Sequence, residues 1–259
     1  MRLHLLTSVH AELAEHLSET AASVAALRAM VGTAGTEVLW HVVVDGQGEP
    51  PVCPVEADTY QVAARQIGVS AARNMALAAT GGDGWVFRLD GDDTVDVGGW
   101  KMLLADPRFG TTPWHPTNLT DQNGLPTAHW FAEPHLWQIR AVEEHWTSPM
   151  PFHPNNIVVQ TQLALSVGGW PALRVNEDIL WCFGLNQHAA GLALPHVTLR
   201  YRRWEQQTVN GNSYLLDKAK AFQFIEAVTN ARRKLTGWPP VSAPQTEVEA
   251  LRLPTRAPG

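Results

Sequence analysis

Apolar and polar positions along the first hundred residues follow an order that predicts strand, helix, strand, helix and strand. Residues 38–44 are almost wholly apolar and β-branched, as in a strand buried on both faces of a parallel sheet. Strands are also predicted over 3–9 and 85–89. Apolar residues at helical spacing predict helices over 13–31 and 70–77, the second with a serine cap. This order predicts an α/β fold, with an open, mostly parallel twisted sheet flanked by helices.

The second half of the chain is less regular. Residues 107–156 are rich in Pro, His, Trp and Asn and hold only short extended pieces. Beyond them, apolar periodicity predicts helices near 162–166 and from Asn176, a strand over 197–203, and a long amphipathic helix over 214–235.

Length and composition bound the class of protein. The 259 residues suffice for one buried core, and no internal repeat or clear linker divides them, so a single domain over residues 1–238 is predicted. Residues 239–259 hold five prolines without periodicity, which predicts a C-terminal tail, either an ordered wrap or a loose one. No segment approaches the roughly 20 apolar residues of a membrane-spanning helix, and the first residues turn polar too early for a signal peptide. A cytoplasmic protein is therefore expected.

Charge and cysteine content argue against several partners. The net charge of −6 argues against nucleic-acid binding through a basic surface. Cys53 and Cys182 form no CxxC pair, which argues against a disulfide framework or a thiolate zinc site.

The tryptophan content is unusual: 11 Trp stand against 7 Phe and 3 Tyr, and seven of the tryptophans lie between Trp100 and Trp181. Composition alone leaves open whether that stretch is core or binding surface.

Two aspartate loops follow predicted strands and mark a candidate site. Asp45 follows the second strand, and Asp90-Gly91-Asp92-Asp93 follows the third. Ligands of open α/β sheets bind beyond the carboxyl ends of the strands, so both loops lie where a site is expected. Three carboxylates within four residues repel one another unless a cation neutralises them, and their oxygens suit Mg²⁺ or Mn²⁺. An acidic turn that caps a helix is the alternative.

Three sequence motifs occur in a fixed order along the chain. The first is Gly68-Val69-Ser70-Ala71-Ala72-Arg73-Asn74, and the second is the strand 84–89 closing on the aspartate loop. The third is Val167-Gly168-Gly169-Trp170 followed by Asn176-Glu177-Asp178. Each is weak or moderate alone, but the ordered set resembles the family 2 glycosyltransferases of the GT-A fold.

The resemblance covers about residues 1–205 and implies both a fold and a reaction. It implies one GT-A-like domain with a Rossmann-like nucleotide-binding half, about 1–105, and an acceptor half, about 106–238. A hexosyltransferase-type enzyme of this kind would move one sugar from a nucleotide-diphosphate sugar, by default a UDP-sugar, to a hydroxyl of a small-molecule or glycan acceptor. Its cofactor would be Mn²⁺ or Mg²⁺.

The same resemblance implies donor-side roles for individual residues. Asp92 would coordinate the divalent cation that bridges the diphosphate, and Asp90 would hold the ribose or assist the metal shell. Asp45 matches the carboxylate that contacts the nucleotide base. The other donor-side candidates are Thr7, Ser8, Arg73, Gly91 and Arg203. Purely structural roles, in strand ends, turns and ion pairs, are the alternative for each.

On the acceptor side, an inverting transfer needs a base that takes the proton of the attacking hydroxyl. By the resemblance, Asp178 is that base, and Glu177 orients it or binds the acceptor. Acids that complement a helix dipole are the structural alternative. Many relatives carry a histidine near the diphosphate or metal where this chain has Trp204, which leaves a third metal ligand open, with His196 as a substitute candidate.

Several tryptophans are candidates for the acceptor site. Trp114, Trp130, Trp137 and Trp146 fall in the irregular stretch between the aspartate loop and the proposed base, and Trp170 closes the third motif. An aromatic face stacks well on a sugar, but these residues can equally pack in a core. Trp114, Trp130, Trp137 and Trp170 are retained as acceptor candidates.

Two alternative functions stay open from the sequence. A retaining transferase would use the same aspartates but would not need Asp178 as a base. A nucleotide-sugar-binding or regulatory protein without turnover is the other, because Trp204 departs from the family pattern and the first strand lacks the family's usual proline.

Overall fold

The computed structural model describes residues 1–10, 15–32, 35–46, 50–146, 150–203 and 212–242, the side chains of 212–216 excepted. Within these residues, nine strands form one sheet and seven helices accompany it. The strands are β1 (Arg2–His10), β2 (Glu37–Asp45), β3 (Thr59–Val62), β4 (Trp85–Arg88), β5 (Thr94–Val95), β6 (Trp114–Asp121), β7 (His135–Trp137), β8 (Ile157–Gln160) and β9 (Gly191–Tyr201). The helices are α1 (Leu17–Val31), α2 (Val69–Ala78), α3 (Val97–Ala105), α4 (Ala141–Glu144), α5 (Thr161–Ser166), α6 (Glu177–His188) and α7 (Asn212–Leu235).

The sheet is open and mostly parallel. Its strands follow the order β3-β2-β1-β4-β8-β6-β9-β5, and β7 pairs with β9. The pairings β3-β2-β1-β4 are all parallel, whereas β8 is antiparallel to both of its neighbours, and β5 and β7 are antiparallel to β9. Strands β1, β2, β3, β4, β6 and β9 therefore run one way, and β5, β7 and β8 run the other. The predicted fold class is confirmed.

Two apolar cores lie on opposite faces of the sheet. Side chains alternate between faces along a strand, so Leu5 and Phe87 join one core while Leu6 and Val86 join the other. Helices α1 and α3 cover the first core, and α2, α5, α6 and α7 cover the second. Among the residues described, no helix has the length and apolar character to cross a membrane.

Strand β6 lies inside the stretch predicted to be irregular. Its sequence, WHPTNLTD, lacks an apolar run, yet seven of its eight residues are buried. The buried polar groups are satisfied: Asn156 Nδ2 donates to the carbonyl oxygens of Thr117 and Asn118 at 2.8 and 2.7 Å, and the Thr117 and Thr198 hydroxyls lie 2.7 Å apart. Because much of this strand is polar and its buried polar groups are satisfied by hydrogen bonds, hydrophobic periodicity does not reveal it.

The serine cap predicted for the second helix is wrong. Helix α2 begins after Gly68, whose φ of 88° lies in the region that favours glycine, and no side chain caps the helix. Ser70 lies inside the helix, where its hydroxyl donates to the carbonyl of Leu173 at 3.3 Å. Strand β9 also begins earlier than the predicted range 197–203.

The predicted tail begins as an ordered segment against α7. The side chain of Asn230 bonds to both backbone groups of Val241 at 2.8 Å, and the Arg233 guanidinium donates to the carbonyl of Pro239. Trp238 lies under the guanidinium groups of Arg140 and Arg233. Residues 243–259 lie outside the described part of the chain.

Candidate functional site

A cavity of about 610 Å³ opens at the carboxyl ends of β1, β2 and β4. Its opposite wall is the segment 172–178, which leads into α6. Eight residues predicted from the sequence line it together. They are Ser8, Asp45, Arg73, Asp90, Gly91, Asp92, Glu177 and Asp178.

The aspartate loop is held from below by close packing. A Cβ atom on Gly91 would lie 2.8 Å from the Cβ of Val9, so only glycine lets the loop approach β1 this closely. From α1, the Thr20 hydroxyl reaches the carbonyl oxygens of Gly91 and Asp93 at 3.0 and 2.8 Å. Sheet and helix together therefore fix the backbone that presents the aspartates.

The three carboxylates of the loop face different surroundings. Asp93 is 2% exposed and accepts the backbone N–H of Arg202 at 2.9 Å. Burial, together with the charges of Asp90 and Asp92, raises the pKa of Asp93 well above its usual range. Asp90 and Asp92 line the cavity, whereas Asp93 is not among the residues of its wall.

Asp90 is held by two arginines. The Arg88 guanidinium pairs with both of its oxygens, with Nε to Oδ1 at 2.9 Å, and Arg73 Nη2 reaches Oδ1 at 3.3 Å. Burial alone would raise the pKa of Asp90, but the charges of Arg88 and Arg73 outweigh it and hold that pKa well below its usual range. Asp90 is therefore a fixed anion at the base of the cavity.

Each of these arginines also reaches one acid at the start of α6. Arg73 Nη1 donates to Glu177 Oε1, and Arg88 Nη1 lies 3.6 Å from Asp178 Oδ2. We call Asp90, Arg73, Glu177, Arg88 and Asp178 the double arginine bridge. It ties the loop after β4 to the start of α6.

Asp178 differs from Glu177 in its partners. Glu177 makes a direct hydrogen bond to Arg73, whereas the Asp178 contact with Arg88 is an ion pair beyond hydrogen-bond distance, and Asp178 Oδ1 accepts the N–H of Ile179 at 2.8 Å. Burial and the neighbouring charge of Glu177 raise the pKa of Asp178 to about 6. A carboxylate with this pKa can accept a proton near neutral pH.

Asp45 performs a structural task at the cavity wall. Its carboxylate accepts the backbone N–H groups of Ile67 at 2.7 Å and of Gly68 at 3.0 Å. Strand β2 thereby positions the start of α2, which carries Arg73. The predicted contact between Asp45 and a nucleotide base stays a prediction.

Two donor-side candidates do not line the cavity. Thr7 is fully buried, where its hydroxyl donates to the carbonyl of Leu89 at 2.6 Å and accepts from Trp40 Nε1 at 2.8 Å. Arg203 is exposed, and its backbone pairs with the side chain of Gln122. Thr7 thus acts in the structure as a strand-end contact that fixes the segment before Asp90.

None of the tryptophans predicted for the acceptor site is among the described residues that line the cavity. Trp114, Trp137 and Trp170 are buried in the apolar core, as is Trp146, and Trp170 stacks on Trp181 with ring centroids 4.3 Å apart. Of the two interpretations left open by the sequence, packing describes these residues. Trp130 is 43% exposed, and its acceptor contact stays a prediction.

The candidates for a third metal ligand fall elsewhere. Trp204 lies outside the described residues. His196 Nε2 lies 2.7 Å from Asp106 Oδ2, and the histidine is not on the cavity wall. His196, the substitute candidate, therefore does not supply a third metal ligand on the cavity wall.

The cavity wall does not form a complete metal site from protein side chains alone in the part of the chain that the structure describes. The described part of the chain contains no group of three or more His, Cys, Asp or Glu side chains that could hold a metal ion. Asp90 is committed to two arginines, and Asp92 is the second loop carboxylate on the cavity wall. Mg²⁺ is often bound through one or two carboxylates plus substrate phosphates and waters, and Asp92 fits that mode.

Arg88 and Asn155 line the cavity and were missed by the sequence analysis. A signal for Arg88 existed: an arginine in an apolar strand, two residues before an aspartate, needs a buried acid as partner. Asn155 gave no such signal, because it lies in the irregular stretch and reaches the cavity only through the fold.

Of the comparisons with known proteins, the one with solved structures found similar folds. No family model and no curated protein sequence matches the chain. Among solved structures, Staphylococcus aureus TarS matches with a TM-score of 0.65 at 15% identity, over 88% of this chain and 39% of that one. TarS 1–349 in complex with UDP-GlcNAc gives 0.68 at 13% identity, over 98% and 77%, and the UDP complex gives 0.59 at 13%, over 90% and 73%. This chain thus spans about two fifths of the longer TarS chain, and it shares the GT-A-like fold with TarS.

Proposed function

We propose that this protein is a metal-dependent, inverting glycosyltransferase of the family 2 type, with a nucleotide-diphosphate sugar, by default a UDP-sugar, as its donor. The observation that carries the proposal is the double arginine bridge, which places a carboxylate of raised pKa opposite the aspartate loop across one cavity. The fold shared with TarS, which was solved with UDP-GlcNAc and with UDP, supports this choice of donor.

In the reaction, Asp178 acts as general base. Its carboxylate takes the proton of the acceptor hydroxyl, and the hydroxyl oxygen forms a bond to the anomeric carbon of the sugar. The bond from that carbon to the diphosphate oxygen breaks, and its electron pair leaves with the nucleoside diphosphate. Attack from the Asp178 side, opposite the leaving group, inverts the configuration.

The diphosphate charge needs a positive partner beyond the double arginine bridge. Arg73 and Arg88 already face three carboxylates, so their charges are matched within the protein. Mn²⁺ or Mg²⁺, held by Asp92 and the diphosphate oxygens, would stabilise the leaving group's charge. Arg174, on the cavity wall with 86% of its side chain exposed, is a further cation there, and it pairs with Asp217 at 3.4 Å.

The residues divide between two halves of one domain, which we propose spans 1–238. The half over about 1–105 contributes Asp45, Arg73, Asp90 and Asp92, and the half over about 106–238 contributes the segment 172–178. A cytoplasmic location and a small-molecule or glycan acceptor remain parts of the proposal.

A thermal-shift screen of nucleotide-sugars with and without Mn²⁺ tests the donor. We expect a UDP-sugar to raise Tm, because a ligand that binds the folded state stabilises it by about 2.7 kcal/mol at 100 times its Kd. The shift should require Mn²⁺, because the proposed site holds the diphosphate through the cation on Asp92. A nucleoside monophosphate serves as control. If no nucleotide-sugar shifts Tm, the proposed function is wrong.

The pH dependence of turnover follows from Asp178. The base must be deprotonated, so kcat/KM should fall tenfold per unit below a pKa of about 6 and level off above it. Initial rates between pH 5 and pH 8 measure this limb. A profile that stays flat from pH 8 down to pH 5, as an ordinary aspartate with a pKa of about 3.9 would give, would exclude a base with raised pKa.

A further inference from the structure

Arg88 holds an unusual position for a charged residue. It ends β4, a strand whose four residues are all buried, and only 8% of the residue is exposed. Burial alone would lower its pKa, but the charge of Asp90 outweighs this and keeps the guanidinium charged. A buried guanidinium needs hydrogen-bond or ion-pair partners for its nitrogens. The partners of Arg88 show which residues surround it.

One nitrogen of Arg88 faces two cavity residues at once. Its Nη1 donates to Asn155 Oδ1 and lies 3.6 Å from Asp178 Oδ2. A guanidinium has only donors, so the amide oxygen of Asn155 must face it and the amide nitrogen must be on the other side. That nitrogen makes no hydrogen bond to any residue the structure describes, and Asn155 lines the cavity.

We propose that Asn155 and Asp178 together hold the acceptor hydroxyl, and that Arg88 is the positioning residue that orients both. A hydroxyl has one proton to donate and lone pairs that accept. Asp178 Oδ2 accepts the hydrogen bond that the hydroxyl donates. The Asn155 amide nitrogen donates to the hydroxyl oxygen. This inference rests on the proposed function and adds a substrate-contacting residue to it.

The neighbours of Asp178 make the role of Arg88 measurable. Glu177 precedes it on α6, Arg88 approaches from β4, and Arg73 approaches from α2. Cys182, one turn farther along α6, is neutral because burial raises the pKa of its thiol. Glu177 and burial favour the protonated form of Asp178, and the two arginines oppose them. Loss of the Arg88 charge should therefore raise the pKa of Asp178 further.

The test uses UDP-GlcNAc as donor, with water or glycerol as acceptor. Asn155→Ala is expected to lower kcat for hydrolysis and kcat/KM for glycerol by about 10-fold to 100-fold, the loss of one hydrogen bond to a reacting group. The donor KM should stay within about twofold. The control is Asn230→Ala, which removes an amide that bonds the backbone of Val241 and lies off the cavity wall.

For Arg88, the readout is the acid limb of kcat/KM. Arg88→Gln should move it up by about one pH unit, and Arg88→Lys, which keeps the charge, should leave it nearer to wild type. Arg28→Gln is the control, since Arg28 pairs with Asp58 and two carbonyl groups outside the cavity. A lower Tm without a moved limb in Arg88→Gln would overturn the positioning role.

The outcomes separate the two proposals. A wild-type protein that neither binds nor turns over any UDP-sugar refutes the proposed function and this inference with it. Wild-type turnover combined with unchanged kinetics in Asn155→Ala refutes only the acceptor contact.

Discussion

Replacement of Asp178 by asparagine is expected to lower kcat by about 10²-fold to 10⁴-fold, the usual contribution of a general base. Asparagine keeps the size of the side chain but cannot take the hydroxyl's proton. The donor should still bind, because Asp178 lies on the acceptor side of the double arginine bridge while Asp90 and Asp92 are unchanged. Single-turnover rates and the donor-induced Tm shift measure the two effects separately.

Asp83→Asn is the matched control for this substitution. Asp83 is 54% exposed, pairs with Arg2, and is not on the cavity wall. We expect its kcat to equal that of wild type. Turnover of Asp178→Asn within about threefold of wild type would remove the base from the mechanism. NMR of the product adds an independent criterion, since a retained anomeric configuration would favour a retaining transferase that uses the aspartates without Asp178.

The parallel half of the fold could be predicted because its strands are apolar and its loops are polar. Residues 38–44 form the interior of β2, and the strand ending before Asp90 is β4, so both aspartate loops lie at the same edge of the sheet. Parallel strands meet at that edge by geometry, and the sequence order of strand and helix implies it. Strand β6 could not be predicted from an apolar pattern, because its buried polar groups are satisfied by residues far along the chain, among them Thr198.

The site was predictable to the extent that it consists of short motifs. Asp90, Glu177 and Arg73 could be named from local sequence, yet which acid each arginine meets depends on contacts 17 and 104 residues apart. Asn155 and the Arg88–Asp178 pair likewise need the folded chain. The sequence left the tryptophans open between core and binding surface, and the fold decides for Trp114: it is buried in the apolar core, where its Nε1 donates to the carbonyl of Ala189 at 3.0 Å.

The two cavity-lining aspartates of the loop should respond differently to the same substitution. Asp90→Asn leaves Arg73 and Arg88 without their shared carboxylate, and breaking a buried ion pair costs ~3–5 kcal/mol. Since 21% of the Asp90 side chain is exposed, we expect about 3 kcal/mol, the lower end of that range, and a Tm lower by roughly 6–12 °C. Urea unfolding and thermal scans measure both values.

Asp92→Asn is the internal control for Asp90→Asn. Its carboxylate repels the buried Asp93, so its loss relieves one like-charge interaction, and we expect stability within about 0.5 kcal/mol of wild type. The Mn²⁺-dependent Tm shift with a UDP-sugar should disappear, because Asp92 is the carboxylate assigned to the cation. Equal destabilisation by both substitutions would contradict the separate roles of the two aspartates. A Mn²⁺-dependent shift that survives in Asp92→Asn would show that the cation is held elsewhere, because Asp90, the other loop carboxylate on the cavity wall, pairs with Arg73 and Arg88.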